Sequence, residues 1–340
     1  MYQDGRAVPE ERQAEFFRLF GFLPLPGFFD AGEMATIDAE YASGLESAQQ
    51  VYAKGAFGVR LQLTWSNMRP ETPFLADALE YDKLLATAER LLGPGAVGAT
   101  TNGNVYSGNQ TEWHADKAVP HFRSVKFVTY LDPVAEDSGA LRVLPGSHRS
   151  PWHEELQPIG AKANLDTAGN PDDEVAAGAR FPVGDVPAYI CDSRPGDVFA
   201  FDLRTWHASW NGFPNRRMVS FTYFGTPRDD VEREALRKVA KLVGQEGMYR
   251  ELRRQRDWMD EGVKPSRIPQ RERQYSAQWL ANAEGSATRA RWIDELRDWG
   301  MIARPAPQAA ASESAPAQAA ASEPAPASVQ AASASTTAPS

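Results

Sequence analysis

Five short segments between Ala96 and Gly225 are rich in β-branched and aromatic residues, and Gly, Pro and Asp turns separate them. Short segments with such frequent turns are typical of strands in an antiparallel sandwich or barrel. The sequence therefore predicts a β core over about residues 96–225. The five segments read VGATTNGNVY, SVKFVTYLD, ALRVLPG, YICDSRPGDVFAFD and MVSFTYFG.

Helical periodicity is confined to the two ends of the chain. Residues 57–65 alternate between apolar and polar side chains and predict one further strand ahead of the core. The sequence as a whole favours a mainly β protein with flanking helices. The predicted helices cover residues 9–20, residues 31–45 after an Asp30 N-cap, residues 74–92, residues 229–243 and residues 274–299.

The last residues of the chain differ in composition from the rest. From residue 305 to residue 340 nearly all are Ala, Pro, Ser, Gln or Thr, and none of the apolar side chains is larger than that of Val329. Such a segment buries too little apolar surface to offset its ordering entropy, so we expect residues 303–340 to be disordered. We predict a single domain over residues 1–302, with a C-terminal helical extension over about 229–302.

Charge and cysteine content exclude several classes of protein. The net charge of -9 argues against a nucleic-acid partner, and the basic run from Arg250 to Arg256 is interleaved with acids. Cys191 is the only cysteine, so intrachain disulfides and zinc-thiolate clusters are excluded. The sequence contains no run of 18 apolar residues and no apolar N-terminal segment. We therefore expect a cytoplasmic protein without a membrane partner.

His114 and Asp116 lie in the segment TEWHAD, just after the strand that is predicted to end near Tyr106. In extended backbone, residues i and i+2 point to the same side, so an imidazole and a carboxylate can reach one point. His207 follows the apolar run DVFAFD and is the best candidate for a third ligand. Two histidines and one carboxylate form the iron(II) site of non-haem oxygenases. An H-x-D pair also occurs by chance, and this alternative stays open.

Arg216 and Arg217 begin the alternating run RRMVSFTYFG, which follows His207. A cation on a strand of an apolar barrel is costly unless it is paired, and a dicarboxylate co-substrate would supply the partner. Alternation places Arg216 on one face with Ser220, whose hydroxyl would stand near that carboxylate, and Arg217 on the other face. The alternative is that both arginines lie on the surface of an edge strand.

Four segments in order resemble the phytanoyl-CoA dioxygenase family of iron(II)/2-oxoglutarate oxygenases. Together they cover about residues 15–225. Each segment alone is only modestly specific for the family, whereas the four segments in this order are specific for it. The segments are GFLPLPGFFDAGEM (21–34), TEWHAD (111–116), SGALRVLPGSHR (138–149) and PGDVFAFDLRTWHASWNGFPNRRMVSFTY (195–223).

The resemblance implies a double-stranded β-helix, which is a cupin-like jelly roll. It implies that His114, Asp116 and His207 hold iron(II), and that Arg216 binds the distal carboxylate of 2-oxoglutarate. The span between His207 and the arginine is slightly shorter than in many members, so Arg217 remains an alternative anchor. Ser209 matches a family position that hydrogen-bonds the co-substrate. Asn104 matches a polar position of the family.

The expected function is oxidation of a small molecule by O2 and 2-oxoglutarate, with release of succinate and CO2. In related halogenases a small residue replaces the carboxylate ligand, so the presence of Asp116 favours hydroxylation over chlorination. Desaturation and ring formation remain alternatives. A non-catalytic cupin that binds a metal or ligand, and a zinc-dependent hydrolase with the same three ligands, are rivals from other classes. The remaining histidines are ascribed to turns and loops: His121, His148 and His153.

Overall fold

The computed structural model of the chain describes residues 7–51, 62–106, 110–160, 181–243 and 274–302. The predicted tail, the basic run near Arg250 and the first part of the strand predicted over residues 57–65 lie outside the described residues. Within the described ranges, no helix combines the length and the apolar character that crossing a bilayer requires.

The N-terminal part consists of α1 (Glu10–Phe20), β1 (Phe22–Leu25) and α2 (Ala31–Val51), as its periodicity predicted. Asp30 begins α2 through a capping box. Its carboxylate accepts from the backbone N–H of Glu33 at 2.9 Å, and the Glu33 carboxylate accepts from the N–H of Asp30 at 2.8 Å. The predicted N-cap is therefore confirmed.

The prediction of one continuous helix over residues 74–92 is wrong. The segment contains α3 (Pro73–Asp77), a 3₁₀ turn (Ala78–Glu80) and α4 (Asp82–Leu92). Tyr81 interrupts them with extended backbone angles, φ -68° and ψ 123°. Its hydroxyl donates to the carboxylate of Glu33 at 2.6 Å. A tertiary contact therefore accompanies the break, which helical periodicity alone does not reveal.

The described residues contain ten strands in two antiparallel sheets. Each of the five predicted core segments contains a strand, as expected for β-branched and aromatic runs. The short strands Thr111–His114 and His207–Ser209 were not predicted. After β1 the strands are β2 (Gln62–Ser66), β3 (Val97–Tyr106), β4 (Thr111–His114), β5 (Ser124–Tyr130), β6 (Leu141–Val143), β7 (Tyr189–Cys191), β8 (Val198–Phe201), β9 (His207–Ser209) and β10 (Arg216–Phe224).

The strand order defines a double-stranded β-helix. The larger sheet has the order β1-β8-β5-β10-β3-β2, and the smaller sheet has the order β4-β9-β6-β7. From β3 to β10 the chain passes back and forth between the two sheets, which is the jelly-roll path. The predicted fold is confirmed. Helical residues outnumber strand residues in the described part, so "mainly β" applies to the core alone.

Strand register decides which side chains face the interior of the β-helix. Met218 on β10 pairs with Asn104 on β3 and with Tyr130 on β5, and directly paired residues share a face. Met218 and Tyr130 lie in one apolar cluster with Val143 of the smaller sheet. The face that carries Met218 is therefore the inner face, and alternate residues of β10 face the helices.

Helices cover the outer side of the larger sheet. They include α6 (Asp230–Val243), α7 (Ala277–Ala281) and α8 (Ala287–Asp298). The prediction of one helix over residues 274–299 is wrong, because Asn282 ends α7 in the left-handed conformation, with φ 48°. Trp292 of α8 donates from its indole N–H to the carbonyl of Ala96 at 3.0 Å and lies on Gly98, where a Cβ would stand 2.6 Å from the ring. Glycine is therefore required there for the close approach of the ring.

The outer side of the smaller sheet has its own apolar layer. α5 (Trp152–Glu155) and neighbouring 3₁₀ turns lie over it. Trp113 and Trp206 are buried in this layer together with Ala208. Both tryptophans therefore pack behind the sheet that carries the candidate ligands.

Candidate metal centre

The structure brings together the three residues that the sequence singled out. β4 ends at His114, and β9 begins at His207, and the two residues pair directly across the smaller sheet. One ligand atom from each of His114, Asp116 and His207 lies within 4.8 Å of the others. Asp116 Oδ1 is 3.8 Å from Nε2 of each histidine. Two imidazoles and one carboxylate therefore converge on one point.

Backbone carbonyls orient both imidazole rings. Nδ1 of His114 donates to the carbonyl of Glu112 at 2.6 Å, and Nδ1 of His207 donates to the carbonyl of Thr205 at 2.9 Å. Since a carbonyl only accepts, each Nδ1 carries a proton, and the lone pair of the neutral ring is then on Nε2. Burial lowers the pKa of His207 to about 3. Its ring is therefore neutral, as metal coordination requires.

Asp116 is held by a lysine that sequence reasoning missed. Lys126 on β5 donates from Nζ to Asp116 Oδ2 at 3.0 Å. Burial by itself raises the pKa of Asp116, but the charge of Lys126, followed by the two histidines, outweighs burial and holds the pKa well below its usual range. The carboxylate is therefore ionised. A lysine inside the otherwise apolar run SVKFVTYLD was the available signal.

Arg216 lies on the inner face at the start of β10 and is 1% exposed. Its Nη2 donates to Oγ of Ser209 at 3.1 Å, and its guanidinium carbon lies 4.9 Å from the centre of the Tyr106 ring. Ser209 Oγ is 3.0 Å from Oγ1 of Thr111. Nε and Nη1 of Arg216 are buried and have no acceptor among the described residues. A buried cation with two unused donors fits an incoming carboxylate.

Arg217 points away from the interior of the β-helix. Its guanidinium contacts both carboxylate oxygens of Asp132 at 2.7–3.3 Å and that of Asp38 at 2.6 Å. These acids satisfy its charge. β10 lies between β5 and β3 in the larger sheet. The alternative that both arginines lie on an edge strand is therefore wrong.

Gly139 makes room for the guanidinium of Arg216. The residue has φ +87°, and a Cβ built there would lie 1.8 Å from Nη1 of Arg216. Both the left-handed backbone and the close approach require glycine. The glycine of the SGALR segment thus shapes the arginine's pocket, a role that the sequence alone did not reveal.

Asn104 and Ser220 lie on the same inner face, further along their strands. Asn104 accepts from the hydroxyl of Thr64 at 2.7 Å. Ser220 pairs with Asn102 of β3. It lies four residues beyond Arg216, which is about 13 Å along a strand.

The other histidines lie apart from the centre. His121 is exposed. His148 contacts the carbonyl of Arg18 through Nε2 at 3.2 Å, and His153 contacts the carbonyl of Ser147 through Nδ1 at 3.0 Å. His148 thus has the structural role expected of its turn, while His153 is buried at 2% exposure.

A jelly roll that combines two histidines, a carboxylate and a buried guanidinium on its inner surface has the features of the non-haem iron(II), 2-oxoglutarate-dependent oxygenases. The donor set suits iron(II), and the unused donors of Arg216 suit a dicarboxylate. The residues present therefore fit both groups.

Comparison with known proteins agrees with this class. The model of the phytanoyl-CoA dioxygenase (PhyH) family matches residues 17–216, more than half of the chain. The chain belongs to this family and is an enzyme that uses iron(II), 2-oxoglutarate and O2. Among curated protein sequences, none matches the chain.

Several solved structures resemble the chain at low identity. The α-ketoglutarate-dependent epimerase SnoN from nogalamycin biosynthesis has 21% identity and a TM-score of 0.48, covering 64% of this chain and 80% of that one. EvdO2 from Micromonospora carbonacea var. aurantiaca has 21% identity and a TM-score of 0.48, covering 66% and 94%. HygX from Streptomyces hygroscopicus, with nickel and 2-oxoglutarate bound, has 18% identity and a TM-score of 0.47, covering 65% and 88%. At these values the likeness does not bear on the substrate.

Proposed function

We propose that this enzyme hydroxylates a C–H bond of a small-molecule metabolite, converting 2-oxoglutarate to succinate and CO2. His114, Asp116 and His207 hold the iron. Arg216, with Ser209, binds the distal carboxylate of 2-oxoglutarate. The observation that carries the proposal is the pair of unused donors on buried Arg216, on the same inner surface as the three ligand side chains.

Ser209 connects the two parts of the proposed site. It lies two residues after His207 on β9, so both side chains face the interior. Its hydroxyl accepts from Arg216 and lies beside Thr111. β9 thus carries a metal ligand at one end and a co-substrate contact at the other, which positions 2-oxoglutarate between the metal and Arg216. We propose that Asn104 and Ser220, which lie on the same inner face, also contact the co-substrate.

Iron, when bound, supplies the activation of O2 through oxidative decarboxylation of 2-oxoglutarate. The chain's own residues bind, orient and exclude water. The two Nδ1–carbonyl hydrogen bonds keep each Nε2 aimed at the metal. Phe201 lies 4.8 Å from the ring of His207, and Val143 pairs with His207 across the smaller sheet. These apolar neighbours shield the His207 side of the proposed centre from bulk water.

Asp116 favours hydroxylation as the outcome. It occupies the ligand position that a halogenase leaves to chloride, so the proposal excludes chlorination. Residues 1–302 form the proposed catalytic domain, in which the helices after residue 229 brace the larger sheet. We also propose a cytoplasmic location, since Cys191 is a free, buried thiol. The non-catalytic cupin and the zinc hydrolase have no need for Arg216 and are less well supported.

Anaerobic titration with iron(II) and 2-oxoglutarate tests the assignment. We expect a weak visible charge-transfer band at one iron per chain, and O2-dependent succinate formation when a panel of small metabolites is added. Asp116→Ala combined with His207→Ala should abolish the band, while His121→Ala, an exposed histidine, should leave it unchanged. Absence of the band in folded wild-type protein would contradict the proposal.

A further inference from the structure

Lys126 is the one feature of the centre that neither the family motifs nor the proposed function explains. It lies within β5, where it pairs with Phe201 of β8 and with Thr222 of β10. Its side chain is 22% exposed, and its Nζ lies 5.7 Å from the centre of the Phe201 ring. Placing an ammonium group on an inner strand face is costly unless a partner compensates it. Its partner is the carboxylate of Asp116.

The two oxygens of Asp116 have different surroundings. Oδ2 accepts from Lys126 Nζ at 3.0 Å. Oδ1 lies 3.8 Å from Nε2 of His114 and 3.8 Å from Nε2 of His207. Only Oδ1 is therefore directed at the point where the two imidazoles converge. A carboxylate without such a tether can rotate and offer both oxygens to a metal.

We propose that Lys126 is a positioning residue that restricts Asp116 to one-oxygen coordination of the metal. This inference rests on the proposed function. By engaging Oδ2, Lys126 keeps a coordination position available that a two-oxygen carboxylate would occupy. A bidentate co-substrate and O2 together need three positions, which two imidazoles and a single carboxylate oxygen leave on a six-coordinate ion.

Charge supports the same role. Lys126 offsets the negative charge of Asp116, so a divalent ion in the site keeps most of its own charge for the dianion 2-oxoglutarate. The proximity of Lys126 to Phe201, and of Phe201 to His207, places this cation at the edge of the metal site. The interaction is only partly screened there, because the side chains of Lys126 and Asp116 are 22% and 24% exposed. Removal of Lys126 should therefore weaken the binding of 2-oxoglutarate more than the binding of the metal.

The test uses full-length protein loaded with cobalt(II), which reports coordination number through its visible d–d absorption. Lys126→Met removes the hydrogen bond to Asp116 Oδ2. Lys238 is an exposed lysine on α6, so the control Lys238→Met removes one positive charge away from the site. We expect Lys126→Met to bind one cobalt per chain with an altered d–d spectrum before 2-oxoglutarate is added. Its dissociation constant for 2-oxoglutarate, measured by calorimetry, should rise about tenfold or more. Lys238→Met should match the wild type, and Lys126→Arg should restore most of the affinity.

A wild-type d–d spectrum and wild-type 2-oxoglutarate affinity in folded Lys126→Met would overturn the inference. An unchanged d–d spectrum together with weaker 2-oxoglutarate binding would also overturn the inference, because Lys126 would then contact the co-substrate directly and not act through Asp116. Should Lys126→Met fail to fold, Lys126→Leu, which likewise offers no donor to Asp116, carries the same test. If the wild type itself binds neither cobalt nor 2-oxoglutarate, the proposed function fails, and that result is distinct from either outcome above.

Discussion

Replacing Arg216 by methionine should remove 2-oxoglutarate binding without destabilising the apo protein. Arg216 is buried, and two of its donor nitrogens have no acceptor among the described residues. Methionine has a similar reach and is apolar, so it can fill the space beside Tyr106 without an unsatisfied donor. The arginine is thus expected to serve the ligand at some cost to the empty fold.

The contacts of Arg216 set the size of the expected changes in unfolding free energy and in 2-oxoglutarate affinity. Each unpartnered buried N–H costs about 1–3 kcal/mol, while the bond to Ser209 returns about 1.5–3 kcal/mol. The contact with Tyr106 returns about 0.5–2 kcal/mol. The terms nearly cancel, so the unfolding free energy of apo Arg216→Met should stay within about 2 kcal/mol of the wild type. Losing two charge-assisted hydrogen bonds to the ligand should weaken its binding by about 2 to 3 orders of magnitude.

Calorimetry of 2-oxoglutarate binding to nickel-loaded protein measures the affinity, and urea unfolding of the apo protein measures stability. Arg217→Met is the matched control, because it removes the neighbouring arginine on the opposite face. The substitution removes the guanidinium partner of the Asp132 carboxylate, so this variant should lose about 1–3 kcal/mol of stability. Its affinity for 2-oxoglutarate should stay that of the wild type. The reasoning is refuted if Arg216→Met binds 2-oxoglutarate as the wild type does, or if Arg217→Met is the variant that loses it.

Two further predictions concern Gly139 and Asp202. Gly139→Ala should displace the guanidinium of Arg216 and weaken 2-oxoglutarate binding in calorimetry, whereas Gly285→Ala, also at positive φ but with open space around it, should not. Burial raises the pKa of Asp202 to about 7, so the folded state holds a proton that the unfolded chain releases near pH 4. The contribution of Asp202 to stability should therefore fall as pH rises from about 4 to about 7, by on the order of 4 kcal/mol, and Asp202→Asn should remove that contribution in urea unfolding.

Each of these two predictions has a contradicting outcome. Wild-type 2-oxoglutarate affinity in Gly139→Ala would show that the Arg216 pocket tolerates a methyl group. For Asp202, the side chain also accepts from the backbone N–H of Arg204 at 2.8 Å, which asparagine can still do. An unfolding free energy that depends on pH equally in the wild type and in Asp202→Asn would exclude Asp202 as the source of the slope.

The β segments and the ligand types were predictable from the sequence because their signals are local. Turn residues delimit β-branched runs, so β3, β5 and β10 fall where alternation placed them. The break at Tyr81 was not predictable, since it coincides with a contact to Glu33 from a distant helix. Lys126 was overlooked because a single lysine in an apolar run has no assigned partner until Asp116 is placed beside it.

The sequence by itself determined the five core strand segments, the helices α1, α2 and α6 and the set of metal-binding residue types, because each depends on neighbours along the chain. It also determined that Arg216 and Arg217 face opposite sides, since alternation is a property of one strand. Only the tertiary structure decided that Arg216 is the arginine that faces the interior of the β-helix. It also decided that His207 lies beside His114. Both depend on hydrogen-bonded register between strands, β10 with β3 and β5 and β9 with β4, and that register arises from packing across the whole fold.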